Sequence, residues 1–216
     1  MAFTGRVLVR VVAAFLALVV LFTLLNPPFT FTILSESARL GGVDRQWTAI
    51  EDMASVMPRA VVAAEDANFC THWGFDMRAI RDALDDGAAR GASTISQQVA
   101  KNVFLWQGRS WARKALEALI TPVIEVVWSK RRILEIYLNV AEFDEGVFGV
   151  NAAAFRYFRT TPDKLTPMQA ALLATVLPDP KDRNAAKPTA FMRKRASQIV
   201  DGAQTIQADG RSSCFE

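Results

Sequence analysis

A chain of 216 residues with 51% hydrophobic content can bury one sizeable core, and its length favours a single one. The formal charge is +3, but Arg6 and Arg10 ahead of the first apolar segment supply two of those charges, so net charge gives no indication of nucleic acid as a partner. The two cysteines, Cys70 and Cys214, form no CxxC pair and have no metal-ligand spacing.

Residues 11–25 are an apolar run, VVAAFLALVVLFTLL, which extends back to Val7 apart from Arg10. As a helix, residues 7–25 reach roughly 28 Å, close to the hydrocarbon thickness of a bilayer, and Arg10 can snorkel to the headgroups. The following Asn26-Pro27-Pro28-Phe29 lacks the small-x-small pattern of a cleavage site, so an uncleaved anchor is expected rather than a signal peptide. Arg6 and Arg10 precede the run and the next charge is Glu36, which by the positive-inside rule leaves residues 1–6 in the cytoplasm and exports everything after residue 26. Residues 26–44 read as a linker and 45–216 as the exported domain.

Along that domain the pattern predicts helices over 47–57 and 58–65, with Pro58 in a first turn, and over 76–86, ended by Gly87. A helix over 93–104 has Ser93 or Thr94 as its N-cap. Helices over 110–128, kinked at Pro122, and over 129–140, with Ile133, Ile136 and Tyr137 inward, come next. Residues 151–158, 166–176 and 190–208 complete the set, with a proline-containing loop over 177–188. No alternating strand pattern of useful length appears, so the expected fold class is mainly α.

Glu65 ends an apolar helical turn after Val61, Val62, Ala63 and Ala64, where partial desolvation raises a carboxyl pKa and suits general acid–base work. Asp66 points about 100° away around the helix and is expected to brace the next loop. His72, the only histidine, reads as a hydrogen-bonded structural group. Thr94, Gln98 and Lys101 share one helical face, and Gly91 and Ala92 let a ligand approach the backbone ahead of it. A helix N-terminus with hydroxyls and a following lysine suits a phosphate, although the same elements occur on idle surfaces.

Arg109, Arg113 and Glu117 recur at i, i+4 and i+8 with Lys114 beside them. On a surface such pairs contribute well under about 1 kcal/mol; facing a cleft, they become cations and a carboxylate suited to a pyrophosphate. Residues 101–132 carry seven basic side chains, including Lys130, Arg131 and Arg132, against Glu117 and Glu125, which reads as a solvated face or as a surface for anionic lipid or a phosphorylated substrate. The aromatic loop 103–111 reads either as core or, flanked by Arg109 and Arg113 in an anchored chain, as a loop that dips into the bilayer, and the second is expected. In an exported chain Cys70 and Cys214 can pair, tying the C-terminal tail to the Glu65 segment.

Five blocks now stand in order: Glu65–His72, Gly91–Asn102, Arg113–Glu117, Lys130–Asn139 and Gly149–Phe158. In that order they resemble the bacterial peptidoglycan glycosyltransferases, which polymerise the cell-wall sugar chain from lipid II; the match covers about residues 45–180. The resemblance implies a lysozyme-like, mostly helical fold, anchored in the inner membrane with its catalytic domain in the periplasm. It implies Glu65 as the base that deprotonates the acceptor hydroxyl. Glu117 is the family's second carboxylate, which positions substrate or a divalent ion such as Mg or Mn; no cofactor is required from the sequence. Sugar or pyrophosphate contacts fall to Ser93, Thr94, Gln97, Gln98, Lys101, Asn102, Arg109, Arg113, Lys114 and Tyr157. Asp66, Phe69, His72, Glu135 and Asn139 are motif residues with structural roles.

The implied partners are lipid II, the growing glycan strand, membrane lipids and other cell-wall synthesis and division proteins, with no nucleic acid. Departures are mild: Ala92 stands where a second glycine is common, Ser96 where threonine is, Phe148 where tyrosine is, and Cys70 at a variable position. Neither Ser-x-x-Lys nor Lys-Thr-Gly occurs, so no transpeptidase machinery is expected and the likeness is to the monofunctional enzymes. Two rivals stand beside this reading. A lysozyme-like wall-degrading enzyme needs a general acid rather than clustered cations. A non-catalytic membrane scaffold has no physical need for Glu65, Lys101, Arg109 and Glu117 together.

Overall fold

Helix α1 (Ala2–Leu24) contains a stretch, Gly5–Leu24, long and apolar enough to cross a membrane. It belongs to a computed structural model that describes residues 2–85, 93–108 and 110–216, with side chains from residue 5 onward. Val7, Leu8, Val9, Val11 and Val12 face outward, whereas Val19 and Phe22, nearer the C-terminal end, are buried. That end is docked on the domain. Phe15 meets Phe104 edge-on at 5.3 Å between ring centroids, and the Trp128 indole N–H donates to the Val19 carbonyl at 2.8 Å.

Two guanidiniums fix the exit of α1. Arg132 donates to the carbonyls of Phe22 (3.0 Å) and Leu25 (2.8 Å), and Arg45 to those of Pro27 (2.6 Å) and Pro28 (2.5 Å). Cations at a helix C-terminus satisfy its orphan carbonyls and its dipole. Both guanidiniums also lie over the Trp47 ring, at 6.0 Å for Arg45 and 5.5 Å for Arg132.

Within residues 26–44, the expected linker, the chain forms helix α2 (Phe31–Leu40). Thr30 caps it by accepting from the Ile33 N–H, and Gly41 closes it at φ +76°. Ahead of Pro58 the sequence pattern predicted a full helix; the structure has only a 3-10 turn (Ile50–Asp52), followed by α3 (Val56–Glu65). Pro58 sits inside the first turn of α3, where its missing N–H has no carbonyl to lose.

The remaining helices are α4 (Met77–Asp85), α5 (Ile95–Phe104), α6 (Trp111–Val127), α7 (Lys130–Val140), α8 (Gly149–Phe158), α9 (Pro167–Val176) and α10 (Ala190–Ala208). Helix α6 runs through Pro122 without a break. Three very short strands, β1 (Asp44–Arg45), β2 (Glu142–Asp144) and β3 (Val147–Phe148), form a sheet in the order β1-β3-β2. At two or three residues each, they leave no alternation for a sequence pattern to reveal.

Helix α7 lies at the centre, with Ile133, Leu134, Ile136 and Leu138 fully buried. It packs on α5 and α8, while α3, α9 and α10 form a second group. Asn139 of α7 accepts from the Thr48 N–H (2.8 Å) and donates to the Thr48 carbonyl (2.9 Å), so it splices two distant segments. Gly149 opens α8 at φ +84°, where an added Cβ would come within 3.0 Å of the Asn139 carbonyl.

Cys70 and Cys214 form a disulfide, closing a sequence separation of 144. Phe215 is buried beside it, and Arg131 donates to the Phe215 carbonyl at 2.9 Å. Substituting Cys214→Ser should lower stability by about 2–4 kcal/mol, since a long loop is no longer closed in the unfolded chain. Thermal unfolding of the detergent-solubilised variant checks this; an unchanged midpoint would assign the tail's hold to Phe215 and Arg131 alone.

Candidate active site

Glu65 is the last residue of α3, half-buried behind Val61 and Val62. Burial is the main cause that raises its pKa above the ordinary carboxylate range, and Asp66 adds to it; the Gln98 hydrogen bond, Arg195 and Lys101 oppose the shift without cancelling it. Gln98 of α5 donates from Nε2 to Glu65 Oε2 at 2.9 Å. The Tyr137 hydroxyl of α7 donates to Gln98 Oε1 at 3.1 Å. Burial keeps that phenol protonated, so Tyr137 fixes which end of the amide faces the carboxylate.

Asp66 is buried. It accepts from the Ile95 N–H (3.0 Å) at the start of α5 and bonds His72 Nε2 (2.9 Å), which joins the end of α3 to the head of α5. Phe69 is fully buried beneath the Lys130 ammonium, 4.4 Å from its ring centroid. Glu135 accepts from Arg132 and from the Ile50 N–H (3.3 Å), and with Asn139 it belongs to the framework.

Gln98, Lys101, Asn102 and Tyr137 reach a cleft of about 490 Å³, bounded on the other side by Thr32 and Glu36 of α2 and by the 177–182 loop. The Lys101 ammonium has no ion-pair partner among the described residues. Its pKa is lowered, first by burial and then by Arg113 and Lys114, while Glu117 and Glu65 act to hold the charge. Lys101 therefore lies within the electrostatic reach of both carboxylates. Asn102 accepts from Gln107 Nε2 (3.4 Å), which also donates to Thr32 (2.9 Å).

Glu117 is only 3% exposed, with Arg113 Nη1 at 3.0 Å and the Lys114 ammonium on its other oxygen. Arg113, Lys114 and Glu117 are thus a cluster around a buried carboxylate rather than a surface pair. Both Glu117 oxygens are occupied by cations, and among the described residues no group of three metal-ligating side chains converges. A divalent ion at Glu117 would have to displace a neighbouring cation, so this donor set does not fit one.

The Transglycosylase family matches residues 33–204. The chain belongs to the transglycosylase family. It is 57% identical over 203 residues to a biosynthetic peptidoglycan transglycosylase of Jannaschia sp. (strain CCS1), covering 94% of this chain and 85% of the relative. A protein of the same name from Salmonella typhi is 45% identical over 228 residues (98% and 93% covered), and one from Caulobacter vibrioides 42% over 200 (91% and 87%).

Against this transglycosylase frame the sequence-derived site divides. Gln98 and Lys101 line the cleft, Glu65 is bonded to Gln98 from the end of α3, and Arg113, Lys114 and Glu117 form a cluster within electrostatic reach of Lys101. Thr94 and Gln97, expected to touch substrate, instead complete a capping box at the start of α5, and Thr94 also donates to the Gly74 carbonyl at 2.6 Å. Tyr157 is buried, with its hydroxyl on the Phe143 carbonyl at 2.9 Å, and does not line the cleft. Ser93 accepts from Lys114 Nζ at 3.2 Å. Gly91, Ala92 and Arg109 lie outside the described residues.

Two participants were missed as site residues. The sequence pattern places Tyr137 only on a buried face. Arg195 of α10 donates to the Ala64 carbonyl at 3.3 Å and acts on Glu65 from far along the chain. Of the loop expected to dip into the bilayer, Val103 and Leu105 are core and Phe104 packs on α1; Trp106 and Trp111 are exposed. A further apolar surface appears on α6, where Trp111, Leu119 and Val126 fall on one exposed face.

Proposed function

We propose that this transglycosylase is a peptidoglycan glycosyltransferase that polymerises lipid II into β-1,4 glycan strands. Its anchor lies in the bacterial inner membrane, with residues 1–6 in the cytoplasm and 45–216 in the periplasm. The observation that carries the reading is a desolvated Glu65 held by Gln98, which itself lines a cleft together with Lys101. Glu65 takes the proton from the acceptor 4-hydroxyl while that oxygen attacks the donor's anomeric carbon. The bond to the pyrophosphate breaks, its electron pair leaves with the polyprenyl pyrophosphate, and the anomeric configuration inverts. The leaving group is already an anion, so it needs cations rather than an acid.

Among the described residues Lys101 is the cation best placed for that work, because Arg113 and Lys114 share their charge with Glu117. The exposed apolar side chains of α6 and the docked end of α1 support a cleft held close to the bilayer, where a lipid-linked donor resides. Detergent-purified protein given labelled lipid II should yield polymer, and Lys101→Met should cut the rate about 10²-fold. Shortening of pre-formed glycan instead would favour the wall-degrading reading. No turnover by folded protein would favour a scaffold.

A further inference from the structure

A second polar pocket, sharing no residue with the cleft, lies between β1 and one face of α8 with the residues that follow that helix. It encloses about 550 Å³, and Arg45, Arg156 and Arg159 line it together with Asn151, Thr160 and Thr161. Asp44 is the one carboxylate in its wall. Arg156 is held by Asp144 at 3.1 Å yet stays 59% exposed, while Arg45 and Arg159 have no carboxylate partner among the described residues. Arg45 Nε is shielded from solvent and makes no hydrogen bond. Nothing in the glycosyl-transfer reading uses these groups.

We propose that this pocket binds the phosphate of an anionic phospholipid headgroup. Its depth carries the assignment. Arg45 donates to the carbonyls of Pro27 and Pro28, just beyond the end of α1 at Leu24, where a membrane-spanning chain leaves the hydrocarbon. The headgroup layer begins there and is about 5–7 Å thick on each side. The proposal thus rests on the membrane reading of α1 and not on Glu65 chemistry.

The rim fits the same ligand. Phe155 is 58% exposed beside the arginines, with the Arg159 guanidinium 4.9 Å from its ring centroid. An exposed phenyl next to guanidiniums suits the boundary where acyl chains meet phosphates. Arg159 ends α8 at φ +52°, a left-handed position that glycine usually fills, so the fold holds an arginine where a smaller residue would be less strained. Planar guanidinium forks with neighbouring hydroxyls match a phosphodiester, and three arginines outnumber the single Asp44 carboxylate along the wall. Free phosphate offers the same oxygens without the acyl chains.

The test uses the full chain in detergent, titrated with phosphatidylglycerol, phosphatidylcholine or inorganic phosphate, with lipid retention read by native mass spectrometry. The expected result is preferential retention of phosphatidylglycerol, weakened about thirtyfold in the double variant Arg156→Gln/Arg159→Gln. Lipid II turnover in detergent should be unchanged in that variant. Arg159→Gly is a second variant whose backbone accepts φ +52°, and it should weaken retention about fivefold with no loss of thermal stability. Equal retention of the two lipids, or retention insensitive to both variants, would overturn the proposal. Inorganic phosphate competing at the same concentration as phosphatidylglycerol would make this a soluble-phosphate site and overturn the lipid assignment. Failure of lipid II turnover in the wild type would leave these binding results standing.

Discussion

Glu65→Gln should reduce polymerisation of lipid II by about 10²–10⁴-fold, because the amide keeps the shape and the Gln98 contact but cannot take a proton. Stability should move the other way. Burial raises the Glu65 pKa in the folded chain, so the folded state holds this proton more tightly than the unfolded state does. The stability Glu65 contributes is fully present below the unfolded pKa of about 4.3 and is lost as pH rises through the higher folded pKa. The glutamine variant should therefore melt above the wild type at neutral pH, and the gap should close toward about pH 4. A variant that is inactive but more stable separates a chemical role from a structural one. A variant both inactive and less stable would assign Glu65 to the framework.

Glu117→Gln should act on fold and turnover together. The carboxylate is buried between Arg113 and Lys114, and neutralising it leaves two cations facing each other. Breaking a buried pair in this way costs about 3–5 kcal/mol, toward the lower end here because Lys114 is 41% exposed and can turn to water. The same change removes the charge that most favours the Lys101 ammonium, so Lys101 should lose its proton more readily. The expected kinetic signature is a raised KM for lipid II with a smaller fall in kcat, measured alongside urea unfolding. A stable variant with kcat down about 10³-fold would instead place Glu117 on the reacting atoms.

Local signals made much of this arrangement legible. Glu65 follows an apolar turn whose burial the residue types announce, and the seven-residue spacing from Thr94 to Lys101 puts Gln98 and Lys101 on one face. The same stretch also misled. Thr94-x-x-Gln97 is a capping-box signature, and its local hydrogen bonds claimed two residues read as substrate contacts. Pro27, Pro28 and the phenylalanines hid α2, although Thr30 was a serviceable N-cap. Non-local geometry was out of reach: the Tyr137–Gln98 bond, the approach of Arg195 to Glu65, and the grip of Arg45 and Arg132 on the end of α1 join segments that no periodicity links.

The central claim is that Glu65, desolvated and aligned by Gln98, is the base of glycosyl transfer. The pH dependence of kcat/KM on lipid II tests it most directly, in wild type and Gln98→Leu. The expected wild-type profile rises with pH along a limb whose apparent pKa lies above the ordinary carboxylate range. In Gln98→Leu that limb should move to still higher pH, because the amide hydrogen bond that stabilises the carboxylate is gone. A wild-type profile that stays flat on the acid side, or a limb that moves to lower pH without Gln98, would contradict the account.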